Sequence, residues 1–184
     1  DNYKIGFVYS MIVFGLDIEE FEYAYRLDGP YDEKKGLRFD KTKILLDPYA
    51  RAVTGQSQWG CKNNPQHSYR ARVVQNNFDW GLERSEPIPM EDLIIYELHV
   101  RGFTKSPSSG VSCPGTFKGL EEKIPYLKKL GINAVELMPV FEFDEMRDAR
   151  LIDDNELLDY WGYNPVCFFA PNTSYSSSIE YNRE

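Results

Sequence analysis

The order of elements between residues 93 and 138 constrains the fold of this chain more than any other sequence feature. Residues 93–100 are almost continuously apolar, which is typical of a largely buried strand. From Phe117 to Leu130, apolar residues recur every three or four positions, which is the period of one helix face. Residues 132–138 predict the next strand. This order predicts a βαβ unit with two parallel strands and a right-handed crossover.

Two residues mark the course of the predicted helix. Pro125 lies inside the helical pattern, so it either kinks the helix or restarts it at a first-turn position. Gly131 follows the last apolar residue and is a favourable end, because glycine readily adopts the left-handed conformation of a helix C-terminus.

Ligands of such folds bind beyond the carboxyl ends of the parallel strands. Two segments leave those ends here. Residues 101–115 read as a loop that ends in small residues, and residues 139–171 form a longer loop rich in aromatic and acidic residues. Loops of that length in a compact domain are usually functional. We expect Asp144, Glu145 and Asp148 to form a solvated face of the longer loop.

The first half of the chain has the pattern of β structure. Residues 21–27 alternate apolar and polar side chains, and residues 43–46 are a second short strand candidate. Residues 55–79 are polar and broken by Gly, Asn and Pro, which indicates a loop. We therefore predict an antiparallel β-sandwich in residues 1–88. A linker rich in proline precedes a second unit in residues 89–184.

Composition and charge exclude several classes of function. The 184 residues carry a formal net charge of −8, which disfavours binding to nucleic-acid phosphates. The longest nearly apolar run, residues 6–16, is too short to span a bilayer. The three cysteines lie far apart and predict reduced thiols in an intracellular protein rather than a zinc site. His67 and His99 have no neighbouring ligand residues, so we expect structural roles for both and no cofactor.

An aromatic segment of the longer loop is the strongest local indication of a binding site. Aromatic residues make up 15% of the chain, and three rings fall within the sequence Asp159-Tyr160-Trp161-Gly162-Tyr163-Asn164-Pro165. Sugars stack their apolar C–H faces on such rings, and their hydroxyls bind amides and carboxylates. The segment offers both kinds of group. Its rings could equally pack the loop onto the fold, and the pattern alone leaves both interpretations open.

Several motifs occur in a characteristic order. They are residues 25–31, 46–51, 96–104, 115–120, 127–140, 160–165 and 168–171. Together they resemble the α-amylase superfamily, and most closely its isoamylase and bacterial glycogen-debranching branch. The first two motifs are similar to the glucan-binding β-sandwich of debranching enzymes, and the others to the start of their TIM (β/α)8 barrel. The resemblance covers roughly residues 21–184, and residues 1–20 contain no motif that we can place.

The resemblance implies a hydrolase that cleaves α-1,6 branch linkages in glycogen or starch and retains the anomeric configuration. Retention requires two carboxyl groups about 5–5.5 Å apart, one attacking the sugar and one protonating the leaving oxygen. The resemblance also implies that the ring of Tyr163 stacks under the glucose next to the scissile bond. Trp161 and Asn164 would shape the same wall of the site.

The chain departs from the family pattern in one large respect. The family's nucleophile, acid/base and third essential Asp lie on or after barrel strands four, five and seven, and no carboxylate here matches them. Glu97 and Glu136 lie on the two predicted strands, where we expect buried, hydrogen-bonded support. A complete barrel takes about 250 residues, so residues 89–184 contain only its opening. We therefore expect a truncated fragment that is inactive and poorly stable on its own.

Other readings of the sequence remain open. The chain also fits a non-catalytic α-glucan-binding protein, or a fragment of a pullulanase or branching enzyme, although residues 168–171 favour an isoamylase. A phosphate-binding α/β enzyme is disfavoured because no glycine-rich fingerprint follows either strand. The expected partner is an α-glucan, with no nucleic acid or membrane. The expected compartment is a bacterial cytoplasm or, alternatively, a plastid. The sequence does not define the oligomeric state.

Overall fold

The computed structural model describes residues 3–54, 59–61, 69–75, 78–81 and 87–178. Within these ranges, short antiparallel strands build the first half. They are β1 (Lys4–Ile5), β2 (Val8–Tyr9), β3 (Glu22–Tyr23), β4 (Tyr31–Asp32), β5 (Leu37–Arg38), β6 (Ala52–Thr54) and β7 (Arg70–Arg72). β1 pairs with β2, and β4 pairs with β5 across a 3-10 turn. β3, β7 and β6 form a three-stranded sheet in that order.

These strands confirm the antiparallel β structure of the first half but are shorter than the sequence pattern predicts. Of the predicted strand 21–27, β3 pairs with β7, whereas Tyr25 forms an isolated bridge with Leu45 in the second predicted strand. The partner changes within two residues, so neither segment continues as one ladder. The prediction of two continuous strands is therefore correct in position and wrong in extent.

Parts of two other predictions fall outside the described residues. Of the predicted loop 55–79, the ranges 55–58, 62–68 and 76–77 are not described, and neither are residues 82–86 at the predicted linker. The loop prediction is wrong where β7 lies. Strand β7 pairs on both sides, which stabilises it despite its two arginines.

The second half contains the parallel strand pair that the sequence predicts. Strand β8 (Ile95–Leu98) and strand β9 (Ala134–Leu137) pair in parallel. Between them lie α1 (Val100–Thr104), α2 (Phe117–Glu121) and α3 (Ile124–Leu130). Helix α1 replaces the first part of the loop predicted directly after β8. No helix in the described part of the chain is both long enough and apolar enough to cross a membrane.

The helix boundaries follow from local chemistry. The predicted helix is divided into α2 and α3, and Pro125 occupies the first turn of α3, where its missing N–H group removes no hydrogen bond. Gly131 ends α3 with a φ of 93°, the left-handed conformation expected at this position. The restart at Pro125 and the end at Gly131 are thus confirmed.

The parallel strand pair is more exposed than the sequence predicts. Leu98 is buried, but Ile94 and Ile95 are 54% and 52% exposed. Glu97 and Glu136 are opposite each other in the register, and both are exposed rather than buried. The physical reason is that this sheet has only two strands among the described residues, so much of its surface lacks a covering layer.

About half of the predicted long loop at residues 139–171 is β structure. Strand β10 (Phe141–Phe143) pairs antiparallel with β13 (Pro165–Pro171), with shifts in register. Between them, β11 (Arg150–Ile152) and β12 (Asn155–Leu157) form a hairpin. Its turn residues, Asp153 and Asp154, have φ values of 48° and 63°, as a two-residue hairpin turn requires. The aromatic segment therefore connects this hairpin to β13.

A cluster of small buried side chains joins the first half of the chain to β13. It comprises Ala50, Val53, Ala71, Cys167 and Ala170. The thiol of Cys167 donates to the carbonyl oxygen of Ala50 at 3.3 Å. Beside this contact, the rings of Tyr49 and Phe169 stack with centroids 5.6 Å apart. Strand β13 is thus packed against the sheet that contains β6 and β7.

We expect a methyl group at Gly119 to destabilise the fold. Gly119 is buried in α2, its N–H donates to Oγ1 of Thr116 at 3.1 Å, and an added Cβ would overlap the backbone carbonyl oxygen of Cys113. Alanine normally favours a helix over glycine by about 1 kcal/mol. Gly119→Ala should instead lower the free energy of unfolding by roughly 1–3 kcal/mol, measured by urea denaturation. Lys118→Ala on the exposed face is the control, and a stabilised Gly119→Ala variant would contradict the packing described.

Candidate functional site

The three predicted site residues lie in the connection between β12 and β13. Trp161 and Tyr163 are 59% and 67% exposed, so both rings can be reached from solvent. Asn164 is partly buried, and its amide contacts the loop itself. Its Oδ1 accepts from Nη1 of Arg147 and its Nδ2 donates to Oδ2 of Asp148, each at 3.5 Å. The connection therefore presents two aromatic faces. We refer to Trp161 and Tyr163 as the aromatic wall.

A carboxylate and a glycine fix the backbone of the aromatic wall. Oδ1 of Asp159 accepts hydrogen bonds from the N–H groups of Trp161 and Gly162, both at 3.2 Å. Gly162 has a φ of 82°, and a Cβ there would lie 2.5 Å from the ring of Phe143. Only glycine satisfies both the left-handed backbone and the close contact. The turn therefore follows directly from the sequence Asp159-Tyr160-Trp161-Gly162.

His99 contacts the residue that precedes the wall. Its Nε2 lies 2.6 Å from the carbonyl oxygen of Tyr160. The two rings stack with centroids 4.0 Å apart and an interplanar angle of 9°. His99 is buried, and burial lowers the pKa of its imidazole below the usual 6.5. His99 therefore has a structural role, as expected, and it contacts the residue directly before Trp161.

An aromatic cluster lies beneath the turn, with Tyr175 at its centre. Tyr175 is fully buried, and burial raises the pKa of its phenol. The rings that surround it are those of Trp59, His99, Phe117 and Phe143, with centroids 5.7–6.3 Å away. The guanidinium of Arg101 lies 4.6 Å from the ring centroid of Trp59, a cation–π contact. Part of the aromatic excess of the chain is therefore core, and part is exposed wall.

Glu145 corrects the expectation of a solvated acidic face. Its side chain is fully buried, and its Oε1 accepts from the N–H of Gly60 at 2.6 Å. The backbone carbonyl of Glu145 also accepts from the N–H of Asp159 at 2.9 Å. Asp144 is partly buried and caps the N–H of Met146, and only Asp148 is exposed as predicted. The hydrogen bond from Gly60 offsets part of the cost of burying the carboxylate of Glu145.

Glu142 is a second buried carboxyl group, on strand β10. Its Oε2 accepts from the N–H of Thr173 at 2.7 Å. Burial raises its pKa from 4.5 to about 8, an effect that the hydrogen bonds from Thr173 oppose. Glu142 is therefore largely protonated at neutral pH. Glu142 and Glu145 both accept hydrogen bonds from backbone N–H groups, which indicates a structural role for each.

The sequence hardly indicates the residues that support the turn. Spacing does not reveal the structural roles of His99, Glu142, Glu145 and Tyr175. The one available indication is that a histidine directly after a predicted strand can cap a following helix. In the described ranges, no three residues of His, Cys, Asp and Glu come together in a way that could hold a metal ion. What the arrangement offers chemically is two exposed rings on a tethered backbone turn, which can contact the apolar face of a ligand.

Comparison with known proteins finds similarity to debranching enzymes. No model of a protein family matches it. The chain is 37% identical over 186 residues to isoamylase 1, chloroplastic, of Arabidopsis thaliana, covering 97% of the chain and 24% of that relative. It is 41% identical over 181 residues to isoamylase 3, chloroplastic, of Oryza sativa subsp. japonica, covering 95% and 23%. A glycogen debranching enzyme of Yersinia enterocolitica is 37% identical over 173 residues, covering 86% and 26%.

Solved structures give a consistent picture. The fold is similar to that of pullulanase type I from Bacillus subtilis complexed with maltose, with a TM-score of 0.56, 27% identity and coverage of 77% of this chain and 20% of that chain. A pullulanase from Anoxybacillus complexed with maltotetraose gives a TM-score of 0.55 and 30% identity, with coverage of 75% and 20%. Both pullulanases therefore resemble this chain in fold and in sequence.

The similarity to isoamylases and glycogen-debranching enzymes is therefore confirmed. The chain spans about a quarter of the length of the curated relatives it matches. Because the match to the Arabidopsis protein covers 97% of the chain, it also includes most of residues 1–20. The similarity therefore extends beyond residues 21–184, the range that the motifs indicate.

We expect Gly162→Ala to disrupt the turn that carries the aromatic wall. The substitution combines a left-handed backbone, which costs about 1–2 kcal/mol for an L-residue, with overlap on the ring of Phe143. Gly110→Ala is a matched control, because Gly110 has a φ of 67° and open space around its Cβ position. Thermal denaturation should show a clearly larger loss of stability for Gly162→Ala. Equal losses would mean that the contact with Phe143 contributes nothing.

The raised pKa of Glu142 predicts that the free energy of unfolding decreases as the pH rises. A carboxyl group whose pKa is raised on folding stabilises the fold while protonated, fully below its unfolded pKa near 4.5. That contribution is lost as the pH rises through the folded pKa of about 8. Urea denaturation between pH 5 and pH 9 should show falling stability for the wild type and a flatter profile for Glu142→Gln. Glu121→Gln on the exposed face of α2 is the control, and a profile unchanged by Glu142→Gln would contradict the prediction.

Proposed function

We propose that this chain is the N-terminal part of an isoamylase-type glycoside hydrolase. The enzyme would cleave α-1,6-glucosidic branch linkages in glycogen or starch by a retaining mechanism. In this proposal, residues 1–88 belong to a glucan-binding β-sandwich. Residues 89–184 begin a TIM (β/α)8 barrel with β8 and β9 as its first two strands. The names of the relatives support this activity, and the parallel pairing of β8 with β9 supports the barrel.

The observation that carries the proposal is the aromatic wall. Trp161 and Tyr163 are exposed although they stand on a turn whose backbone is fixed by Asp159, Gly162 and His99. Rings that served only to pack the loop onto the described part of this chain would be buried against it. The connection follows β9, on the side where barrels of this type bind their substrates. An α-glucan offers the apolar sugar faces that such rings can stack against. The maltose and maltotetraose complexes of the two pullulanases support the same ligand class.

The part that this chain plays in the proposed reaction is binding and orientation. Fixed rings that contact the sugar next to the scissile bond hold the linkage in a reactive position before any bond breaks. Glu142 and Glu145 are engaged by backbone N–H groups, so we assign neither of them to the reaction. Asn164 would contribute at the edge of the wall. The nucleophile and acid/base required for retention would come from the remaining three quarters of the enzyme.

A second candidate function is non-catalytic binding of α-glucans. It is favoured by a second stacked aromatic pair, Tyr49 and Phe169, whose side chains are 75% and 59% exposed. A pullulanase or branching enzyme is the nearest variant within the first proposal. We place the enzyme in a bacterial cytoplasm or a plastid, in line with relatives named as chloroplastic and as bacterial glycogen enzymes.

The proposal is tested with the longer protein that carries this chain. The wild type should release reducing ends from amylopectin and glycogen but not from linear amylose. Trp161→Ala and Tyr163→Ala should each lower kcat/KM by roughly 10–100-fold, the effect of losing one buried aromatic contact. Tyr126→Ala, an exposed aromatic residue on α3, is the control.

The outcomes separate the two candidate functions. A wild type that sediments with insoluble starch yet releases no reducing ends would support the non-catalytic alternative. A wild type that neither binds nor cleaves would overturn both. Full activity of both aromatic variants would show that the wall does not contact substrate.

A further inference from the structure

We propose that His99 is a positioning residue for the aromatic wall, acting through a hydrogen bond from its Nε2–H to the carbonyl oxygen of Tyr160. This inference rests on the proposed function for its effect on substrate, but its structural part can be tested separately. His99 lies at the end of β8 and is far from the wall in sequence. Its ring nevertheless contacts the residue directly before Trp161.

The hydrogen bonds define which nitrogen of His99 carries the proton. Nδ1 lies 3.0 Å from the backbone nitrogen of Gly102. A backbone N–H can only donate, so Nδ1 must be the unprotonated acceptor. Nε2 then carries the hydrogen and donates to the carbonyl of Tyr160 at 2.6 Å. The imidazole is neutral in this arrangement, in agreement with its lowered pKa. The hydroxyl of Tyr175 also lies within hydrogen-bond distance of Nε2, at 3.2 Å.

The ring contact adds a second constraint on Tyr160. Its ring lies parallel to that of His99, and its hydroxyl occupies the space where residue 102 would carry a Cβ. Position 102 requires glycine because a side chain there would overlap Tyr160. Its N–H, which any residue except proline would supply, orients His99. The backbone carbonyl and the side chain of Tyr160 are both held from the same direction.

This constraint passes directly to the wall. The rings of Tyr160 and Trp161 contact edge to face, with centroids 6.4 Å apart. The next two N–H groups are held by Asp159, and Gly162 packs on Phe143. Without His99, the peptide that carries Trp161 would keep its contact to Asp159 but lose its attachment to β8. The wall would then sample several orientations and bind a sugar less tightly.

His99 also caps α1, so the test must separate capping from positioning. Asparagine reproduces the Nδ1 acceptor and is a good N-cap, but it cannot reach Tyr160. Glutamine places an amide N–H near the position of Nε2 and is a poor cap. Both lack the ring. If His99 positions the wall, His99→Asn should be the more damaging variant for substrate binding. If His99 only caps the helix, His99→Gln should be the more damaging one.

The experiment compares the two variants in the longer protein that carries this chain. We expect His99→Asn to raise KM for amylopectin by about five- to tenfold with a smaller change in kcat, the size of effect of one lost hydrogen bond with its ring contact. His99→Gln should have a KM for amylopectin that is closer to that of the wild type. Gly102→Ala, which displaces the ring of Tyr160 while leaving His99 in place, should also raise KM.

Amide hydrogen exchange gives a readout that does not depend on activity. In His99→Asn, exchange at residues 160–164 should accelerate at least several-fold, whereas exchange in α3 stays unchanged. An inactive wild type with this exchange pattern would overturn the proposed function and leave the positioning role intact. An active wild type whose KM and exchange are unaffected by His99→Asn, or are changed more by His99→Gln, would overturn the positioning role alone.

Discussion

The burial of small side chains between β13 and the sheet of β6 and β7 is the contact on which the rest of the structure depends. Ala50, Val53 and Ala71 leave room for Cys167 and Ala170 to approach closely, and the thiol bonds to a backbone carbonyl at the centre of the contact. Because β13 also pairs with β10, this contact anchors the strands on either side of residues 144–164, the segment that includes the exposed rings. The first half of the chain is thereby part of the scaffold beneath the candidate site.

Above that scaffold, the aromatic wall is held by groups from distant parts of the sequence. Asp159 and Gly162 act locally, His99 acts from the end of β8, and Glu145 connects the same loop to Gly60. Each tether restricts backbone freedom before a ligand arrives, so binding has less conformational entropy to overcome. Buried polar groups suit this purpose, because a buried backbone amide is costly unless it is hydrogen-bonded.

The sequence pattern predicts those features that depend on local order. The parallel pair, the restart at Pro125 and the end at Gly131 follow from periodicity and backbone chemistry, and the family resemblance follows from motif order. Tertiary contacts decide the rest. Nothing local distinguishes the buried Glu145 from the exposed Asp148, and the exposure of Glu97 depends on how many strands surround β8. The hairpin turn at Asp153 and Asp154 is also not evident from the sequence. Two aspartates in left-handed conformation are less typical of such turns than a pair that contains glycine.

The hairpin of β11 and β12 has a consequence for how related sequences can diverge. The chain enters it after Glu145 and leaves it before Asp159, and these two residues are joined directly by a backbone hydrogen bond of 2.9 Å. That bond closes the loop at its base, so the strands beyond it can lengthen, shorten or change sequence without moving Trp161 or Tyr163. Entropy favours such tolerance, since closing a longer loop costs only slightly more than closing a short one. The hairpin is thus an exchangeable module beside a fixed surface, and it can change without any change to the rings themselves.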